Sequence, residues 1–169
     1  MDINPFSSSS KKLPSFYGPS INNRFSRFKI NELFQLSIAN LPQLVKLDLG
    51  RNVLGTVADG AFNGLVSLKS LNMSDNMVSD GPTTIVRSNS VLKMRRIPSK
   101  SLTSLTELEM LDLSFNSFSE LPTSAFDGLS SLKRLSLAHL HSLRAVHMNA
   151  FSGLFKLCSK TLSAANLYL

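Results

Sequence analysis

Three histidines and one serine–lysine pair are the side chains whose types and spacing suggest metal binding or catalysis. His139, His141 and His147 lie close together in the sequence, but no acidic residue or cysteine accompanies them at a recognised ligand spacing. Ser130 precedes Lys133 by three residues, as in the SxxK signature of penicillin-binding enzymes, but the companion motifs are absent. We therefore expect no catalytic residue, no metal site and no cofactor, and we interpret the histidines as ordinary loop residues.

Composition indicates a folded domain without a nucleic-acid partner. The chain has 169 residues, of which 43% are hydrophobic, so one domain with a buried core is expected. Its formal net charge is +7, but residues 81–96 alone carry four basic residues and no acidic one. This excess is not gathered on a recognition motif, so we expect no nucleic-acid binding. No apolar run reaches the roughly 18 residues of a membrane span.

One unit of sequence recurs along the chain. It is seen best in residues 108–129, LEMLDLSFNSFSELPTSAFDGL, and a step of 24 residues joins Leu108 to Leu132 and Leu44 to Leu68. The interval from Leu68 to Leu108 is 40 residues, which exceeds 24 by 16. We therefore interpret residues 81–96 as an insertion, which is either a true basic loop or a retained non-coding stretch of the gene model.

The spacing within each unit predicts a short strand followed by a turn. Leu47 and Leu49 alternate with polar residues, at the period of a strand with one buried face. Such strands are not stable alone, so successive units are expected to pair edge to edge in a curved solenoid with a concave parallel sheet. Phenylalanines line the convex side of the predicted core, and buried amides form a ladder at the turns. These residues are Phe62, Phe126 and Phe151 for the core and Asn52, Asn76 and Asn116 for the ladder.

The pattern LxxLxLxxN followed by LPxxAFxGL resembles the leucine-rich repeat family. It is similar to the typical 24-residue type of animal extracellular and cell-surface proteins, such as Toll-like receptors, slit and chaoptin. The resemblance implies an α/β right-handed horseshoe with a concave parallel sheet and a mostly irregular or short-helical convex side. It also implies a non-enzymatic module for protein–protein interaction in recognition, adhesion or receptor signalling.

Two features of the chain depart from the extracellular type. Members of that type close both ends with cysteine-rich caps, but Cys158 is the single cysteine here. The opening residues MDINPFSSSSKKLPSFYG contain no apolar core of a secretory signal. We therefore expect a fragment, an incomplete gene model or a degenerating copy of a longer extracellular or membrane-anchored protein. The alternative is an intracellular leucine-rich-repeat scaffold or regulatory subunit.

The repeats divide the chain into three parts. Residues 1–19 are predicted to be a disordered tail, residues 20–43 a degraded first repeat, and residues 44–169 the repeat array with its insertion. In the first repeat, Asn23 resembles Asn116. In the fourth full unit Leu140 takes the asparagine position, and a fifth unit begins at Leu157.

The predicted binding residues flank the buried strand leucines, so their side chains should point off the concave face. Met110 and Phe115 are the expected apolar anchors, because methionine and aromatic residues are enriched at interface cores. The full set is Lys46, Asp48, Arg51, Ser70, Asn72, Asp75, Met110, Asp112, Phe115, Arg134, Ser136 and His139. Asn72 also begins the one N-glycosylation sequon, Asn72-Met73-Ser74, where a glycan would obstruct this face. The short pattern equally fits an unused site or a chance match.

Overall fold

The computed structural model describes residues 41–52, 54–76 and 96–161, together with the strand residues 22–24 and 32–33. In chain order the elements are β1 (Asn22–Arg24), β2 (Glu32–Leu33), β3 (Lys46–Asp48), β4 (Thr56–Val57), β5 (Ser70–Asn72), α1 (Ser99–Leu102), β6 (Met110–Asp112), β7 (Glu120–Leu121), β8 (Arg134–Ser136), β9 (Ala145–Val146) and β10 (Ser159–Thr161). No helix in these described ranges is long and apolar enough to cross a membrane. The predicted tail, residues 1–19, lies outside them.

One parallel sheet of six strands carries the array. Its strand order is β1-β3-β5-β6-β8-β10, and every neighbouring pair is parallel. The register aligns Lys46 with Ser70, Ser70 with Met110, and Met110 with Arg134. Each unit of sequence therefore contributes one strand, and the predicted solenoid with a parallel sheet is confirmed.

β5 and β6 are paired neighbours although their aligned residues are 40 positions apart in the sequence, as Leu71 and Leu111 are. The buried residues Ile97, Leu102 and Leu105 then precede Leu121, Phe126 and Leu129 by one 24-residue step. The additional residues must fall between Asn76 and Ile97. Of the predicted insertion, Arg96 alone belongs to the described residues.

The alignment of β1 corrects one sequence comparison. Asn23 pairs with Leu47 in the middle of β3, so Asn23 occupies a strand position. The interpretation of Asn23 as the equivalent of Asn116 is therefore wrong, because the two residues occupy different positions in the repeat. A 24-residue step places the equivalent of Asn52 at position 28, and the resemblance rested on an isolated pair of similar residues.

The opposite side of the solenoid is built from much shorter elements. β2 pairs with β4 and β7 pairs with β9, each as a two-stranded parallel sheet, while α1 is a single helical turn that follows Pro98. Broad turns need more width than extended strands, which suits the convex side of a curved stack.

The core lies between these two sides. The inward strand residues Leu47, Leu71, Leu111 and Leu135 are each no more than 2% exposed. Phe62 and Phe126 are fully buried, as expected, whereas Phe151 is partly buried and stacks on Phe126 with ring centroids 5.7 Å apart. Alternation of side chains along each strand therefore fixes which residues remain on the outer face.

Candidate functional site

The predicted binding residues lie on one face of the six-stranded sheet. Between the buried leucines their side chains are partly or largely exposed. They form three rows that cross the strands: a first row of Lys46, Ser70, Met110 and Arg134, a second row of Asp48, Asn72, Asp112 and Ser136, and a third row of Arg51, Asp75, Phe115 and His139. The structure thus brings all twelve residues together, and their binding role stays a prediction.

The third row is set by a repeated backbone conformation. Arg51, Asp75, Phe115 and His139 have φ angles of 56°, 54°, 57° and 55°. This left-handed region is uncommon for residues other than glycine. Hydrogen bonds between repeats hold the turns: the amides of Asp75 and Phe115 donate to the Ser114 and Ala138 carbonyls, both at 2.9 Å. The turn sends the next residue of each repeat into the core.

That next residue is a buried asparagine in three turns. The Asn76 side-chain amide donates to the Met73 carbonyl at 2.8 Å and to the Leu49 carbonyl of the preceding repeat at 3.2 Å. Its Oδ1 accepts from the Leu54 amide at 3.1 Å. The Asn76 amide thus satisfies backbone groups that no strand partner reaches, and it links two repeats.

The other two asparagines make similar bonds. Asn116 Nδ2 donates to the Leu113 carbonyl at 2.8 Å and to the Met73 carbonyl at 3.0 Å. Asn52 Nδ2 donates to the Leu49 carbonyl at 2.9 Å. In the turn after β8 the equivalent position belongs to Leu140, which is fully buried. At this turn an apolar side chain therefore takes the place of the amide.

The second row has a structural role that the sequence analysis missed. Oδ1 of Asp48 accepts from the Gly50 amide at 3.0 Å, Oδ1 of Asn72 accepts from the Ser74 amide at 2.9 Å, and Oδ1 of Asp112 accepts from the Ser114 amide at 2.9 Å. Asparagine and aspartate commonly close such turns onto the amide two residues later. Their recurrence two residues before a small residue was the available sequence signal.

Asn72 is also bonded across the strands. Its Nδ2 donates to Asp48 Oδ1 at 3.0 Å, and a Cβ added at Gly50 would lie 2.9 Å from the same nitrogen. The Asn72 amide is therefore tightly surrounded on the concave face. A glycan on this sequon would replace one of the two hydrogens on Nδ2.

A charged bridge lies just before the first row. Glu109 lies between Lys133, at 2.8 Å, and Lys69, at 3.5 Å, and so connects three adjacent repeats. The hydrogen bond from Lys133 is the main influence that lowers the pKa of Glu109 below its ordinary value. These side chains are partly solvent-exposed, so the bridge contributes little to stability.

A groove and a ring stack mark the part of the face over β5, β6 and β8. The groove has a volume of about 420 Å³, and Met110, Asp112 and Arg134 are among its lining residues. At the adjoining edge Phe115 is 44% exposed and stacks on His139, with centroids 4.3 Å apart and planes 16° apart. His139 and His141 lie 5.9 Å apart in a tilted arrangement.

The residues first considered for chemistry are not assembled into a catalytic or metal site in the described ranges. No group of three or more His, Cys, Asp or Glu side chains that could hold a metal ion occurs there. His147 is directed to Glu120, with Nε2 and Oε2 3.3 Å apart. The Lys133 ammonium donates to Glu109, which is a structural contact.

The family model described as Leucine rich repeat matches residues 26–78, 86–141 and 106–163. With three repeats in register and the observed parallel sheet, this match establishes that the chain belongs to the leucine-rich repeat family.

The proteins to which the chain is similar are much longer than the matched region. Leucine-rich repeat-containing protein 4 of Homo sapiens is 38% identical over 96 residues, which cover 56% of this chain and 12% of that protein. Tsukushi of Danio rerio is 31% identical over 125 residues, which cover 74% of this chain and 30% of the relative. A crystal structure of a TLR13–ssRNA13 complex matches with a TM-score of 0.59 and 29% identity, covering 76% of this chain and 16% of that chain. The chain therefore spans a minor part of the length of these relatives.

Proposed function

We propose that the chain is a non-enzymatic protein-binding module of a longer extracellular or membrane-anchored protein for recognition, adhesion or receptor signalling. The observation that carries this proposal is the continuous outer face of the sheet, on which Met110 and Phe115 lie above fully buried leucines. The family's 24-residue type is that of animal extracellular and cell-surface proteins, which supports the proposed location.

The concave sheet is the proposed binding surface because its side chains are positioned by rigid elements. The first two rows are fixed by strand pairing, and the third row is fixed by backbone hydrogen bonds between the turns of neighbouring repeats. A surface that is ordered before binding loses less entropy on association. The exposed Phe115 and the partly exposed Met110 are suitable interface anchors on such a surface.

A protein is proposed as the partner, although the similar TLR13 structure is a complex with RNA. Single-stranded nucleic acid is generally held by several cations along its backbone together with stacked rings. Among the described residues that line the groove, Arg134 is the one cation and Asp112 is the one carboxylate. This balance suits a protein segment better than the phosphate backbone of a nucleic acid.

The test adds the tagged chain to cultured animal cells and compares how strongly two double variants bind to the cell surface. Met110→Ser with Phe115→Asn should weaken cell binding strongly, and Asn is chosen because it tolerates the positive φ of Phe115. Asp59→Ala with Asn63→Ala changes exposed convex residues and should leave binding nearly unchanged. The reverse ranking would assign binding to the convex side.

The longer protein can be tested separately. The full-length transcript should encode a secretory signal and cysteine-rich caps around the repeat array. A complete transcript without either would favour the intracellular scaffold instead.

A further inference from the structure

We propose that the groove over β6 and β8 binds an acidic protein segment that carries an aromatic side chain, with a carboxylate on Arg134 and the ring against Phe115 and His139. This inference rests on the proposed function, since it names the chemistry of a partner for the same concave face.

The charge distribution on the described residues supports an acidic partner. Residues 130–161 contain no aspartate or glutamate, whereas they contain Lys133, Arg134, Arg144, Lys156 and Lys160. Lys133 is already paired with Glu109. Arg134 is exposed and lines the groove, and its guanidinium makes no hydrogen bond or ion pair with the described part of the chain. A planar guanidinium in this position is suited to a bidentate contact with a carboxylate.

The carboxylates of the same face lie on the repeats that precede β8. Asp48 belongs to β3, and Asp112 belongs to β6, where Oδ1 accepts from the Ser114 amide. Asp75 follows β5 in the third row. On the β3 repeat Asp48 is accompanied by the basic residues Lys46 and Arg51, whereas the rows over β5 and β6 contain Asp75 and Asp112 and no basic residue. The face is therefore negative over β5 and β6 and positive at β8. This polarity would orient an acidic segment with its carboxylate over β8.

Phe115 provides the reason for an aromatic side chain. The equivalent third-row positions hold Arg51, Asp75 and His139 with nearly the same φ, so the fold accepts a polar residue there. Phe115 nevertheless exposes 44% of its surface and stacks on His139 with centroids 4.3 Å apart. A ring from a partner can pack against this pair at the favoured separations of aromatic groups. The fold itself does not require an exposed phenylalanine at this place.

The probe for this chemistry is poly(Glu,Tyr), an acidic copolymer with aromatic side chains. Binding of the full chain is measured by surface plasmon resonance against immobilised poly(Glu,Tyr), poly(Glu), poly(Lys,Tyr) and oligouridine RNA. The expected order is poly(Glu,Tyr) first, poly(Glu) second and poly(Lys,Tyr) last. A preference for poly(Lys,Tyr) or for the RNA, or no binding to poly(Glu,Tyr), overturns the proposal.

Two matched pairs of variants locate the interaction. Arg134→Ser should weaken poly(Glu,Tyr) binding roughly tenfold, the loss expected for one charge-assisted contact. Arg144→Ser removes the same charge from an exposed residue beside β9 and should have little effect. Phe115→Asn should reduce the preference for poly(Glu,Tyr) over poly(Glu), whereas Phe155→Asn, at a residue that is 89% exposed, should preserve it.

The outcomes separate this inference from the proposed function. Equal losses in Arg134→Ser and Arg144→Ser would show an effect of net charge alone and would overturn the inference. If the chain prefers poly(Lys,Tyr) and its cell binding still depends on Met110 and Phe115, the concave function stands and the acidic partner is wrong. Circular dichroism of each variant confirms that it is folded before binding is compared.

Discussion

The chain turns inward in the same way after β6 and after β8, although the buried residue is Asn116 in one turn and Leu140 in the other. The preceding residues have φ angles of 57° and 55°, and the two buried residues are 2% and 0% exposed. The shape of the turn is therefore independent of the amide. Asn116 instead supplies hydrogen bonds to the Leu113 and Met73 carbonyls, while Leu140 supplies apolar volume.

The largest expected effect comes from removing that volume. Leu140→Ala should lower the free energy of unfolding by about 2–5 kcal/mol, as for other buried leucines. Leu140→Asn should cost less, because an amide in this turn can extend the ladder to the Leu137 and Leu113 carbonyls. Urea denaturation of both variants measures the difference. A larger loss for Leu140→Asn than for Leu140→Ala would show that the two turns are not interchangeable.

Removing an amide from the other turns should have the next largest effect. Asn116→Ala should cost roughly 1–3 kcal/mol, because buried carbonyls lose their donor. Asn76→Ala should cost more than Asn116→Ala, since Oδ1 of Asn76 also accepts from the Leu54 amide. Asn89→Ala, in the predicted insertion, is the control.

Denaturation midpoints of these three variants test the register of the ladder. The midpoint for Asn89→Ala should equal that of the unmodified chain. Equal midpoints for Asn116→Ala and Asn89→Ala would contradict the buried role of the ladder.

The architecture could be predicted from the sequence because the same residue pattern occurs in each repeat. The buried leucines at period 2, the 24-residue step and the asparagine positions each recur, so one misread residue does not change the fold. The first repeat was harder, since Asn23 resembled a turn residue until pairing with Leu47 placed it in β1. A degraded unit has too few apolar positions to fix its own register.

The outer face was only partly predictable. Alternation predicts which side chains leave the core, and it placed Met110 and Arg134 on one surface. It does not predict what those side chains contact. The turn-closing bonds of Asp112 and Asn72, and the stack of Phe115 on His139, depend on distances between residues on different repeats or beyond the strand ends.

Removing a turn-closing aspartate should have a smaller effect on stability. Asp112→Ala removes the acceptor for the Ser114 amide and should cost about 0.5–1.5 kcal/mol, the usual net value of one hydrogen bond. Glu107→Ala, at an exposed position before the same strand, should cost almost nothing. Thermal denaturation of the pair measures this difference. If Glu107→Ala costs as much as Asp112→Ala, the second row has no special structural role.

The smallest expected effect concerns the bridge at Glu109. Because its pKa is lowered in the folded chain, its contribution to stability is present above the unfolded pKa and is lost as the pH falls through the folded one. Glu109→Gln should therefore reduce the acid dependence of stability below roughly pH 4.3, with little change in slope near neutral pH. Melting temperatures from pH 7 to pH 3 measure the effect. An unchanged acid slope would show that the bridge is not formed in solution.

The central claim, that the concave face binds a protein, is tested most directly by site-specific photo-crosslinking. Phe115 and Phe155 are both exposed phenylalanines, but Phe115 lies in the third row and Phe155 lies outside the rows, before β10. Each is replaced in turn by p-benzoylphenylalanine, and the tagged chain is irradiated on cultured animal cells. We predict that position 115 yields a discrete crosslinked protein and that position 155 does not. A product from position 155 alone, or equal products from both positions, would contradict the account.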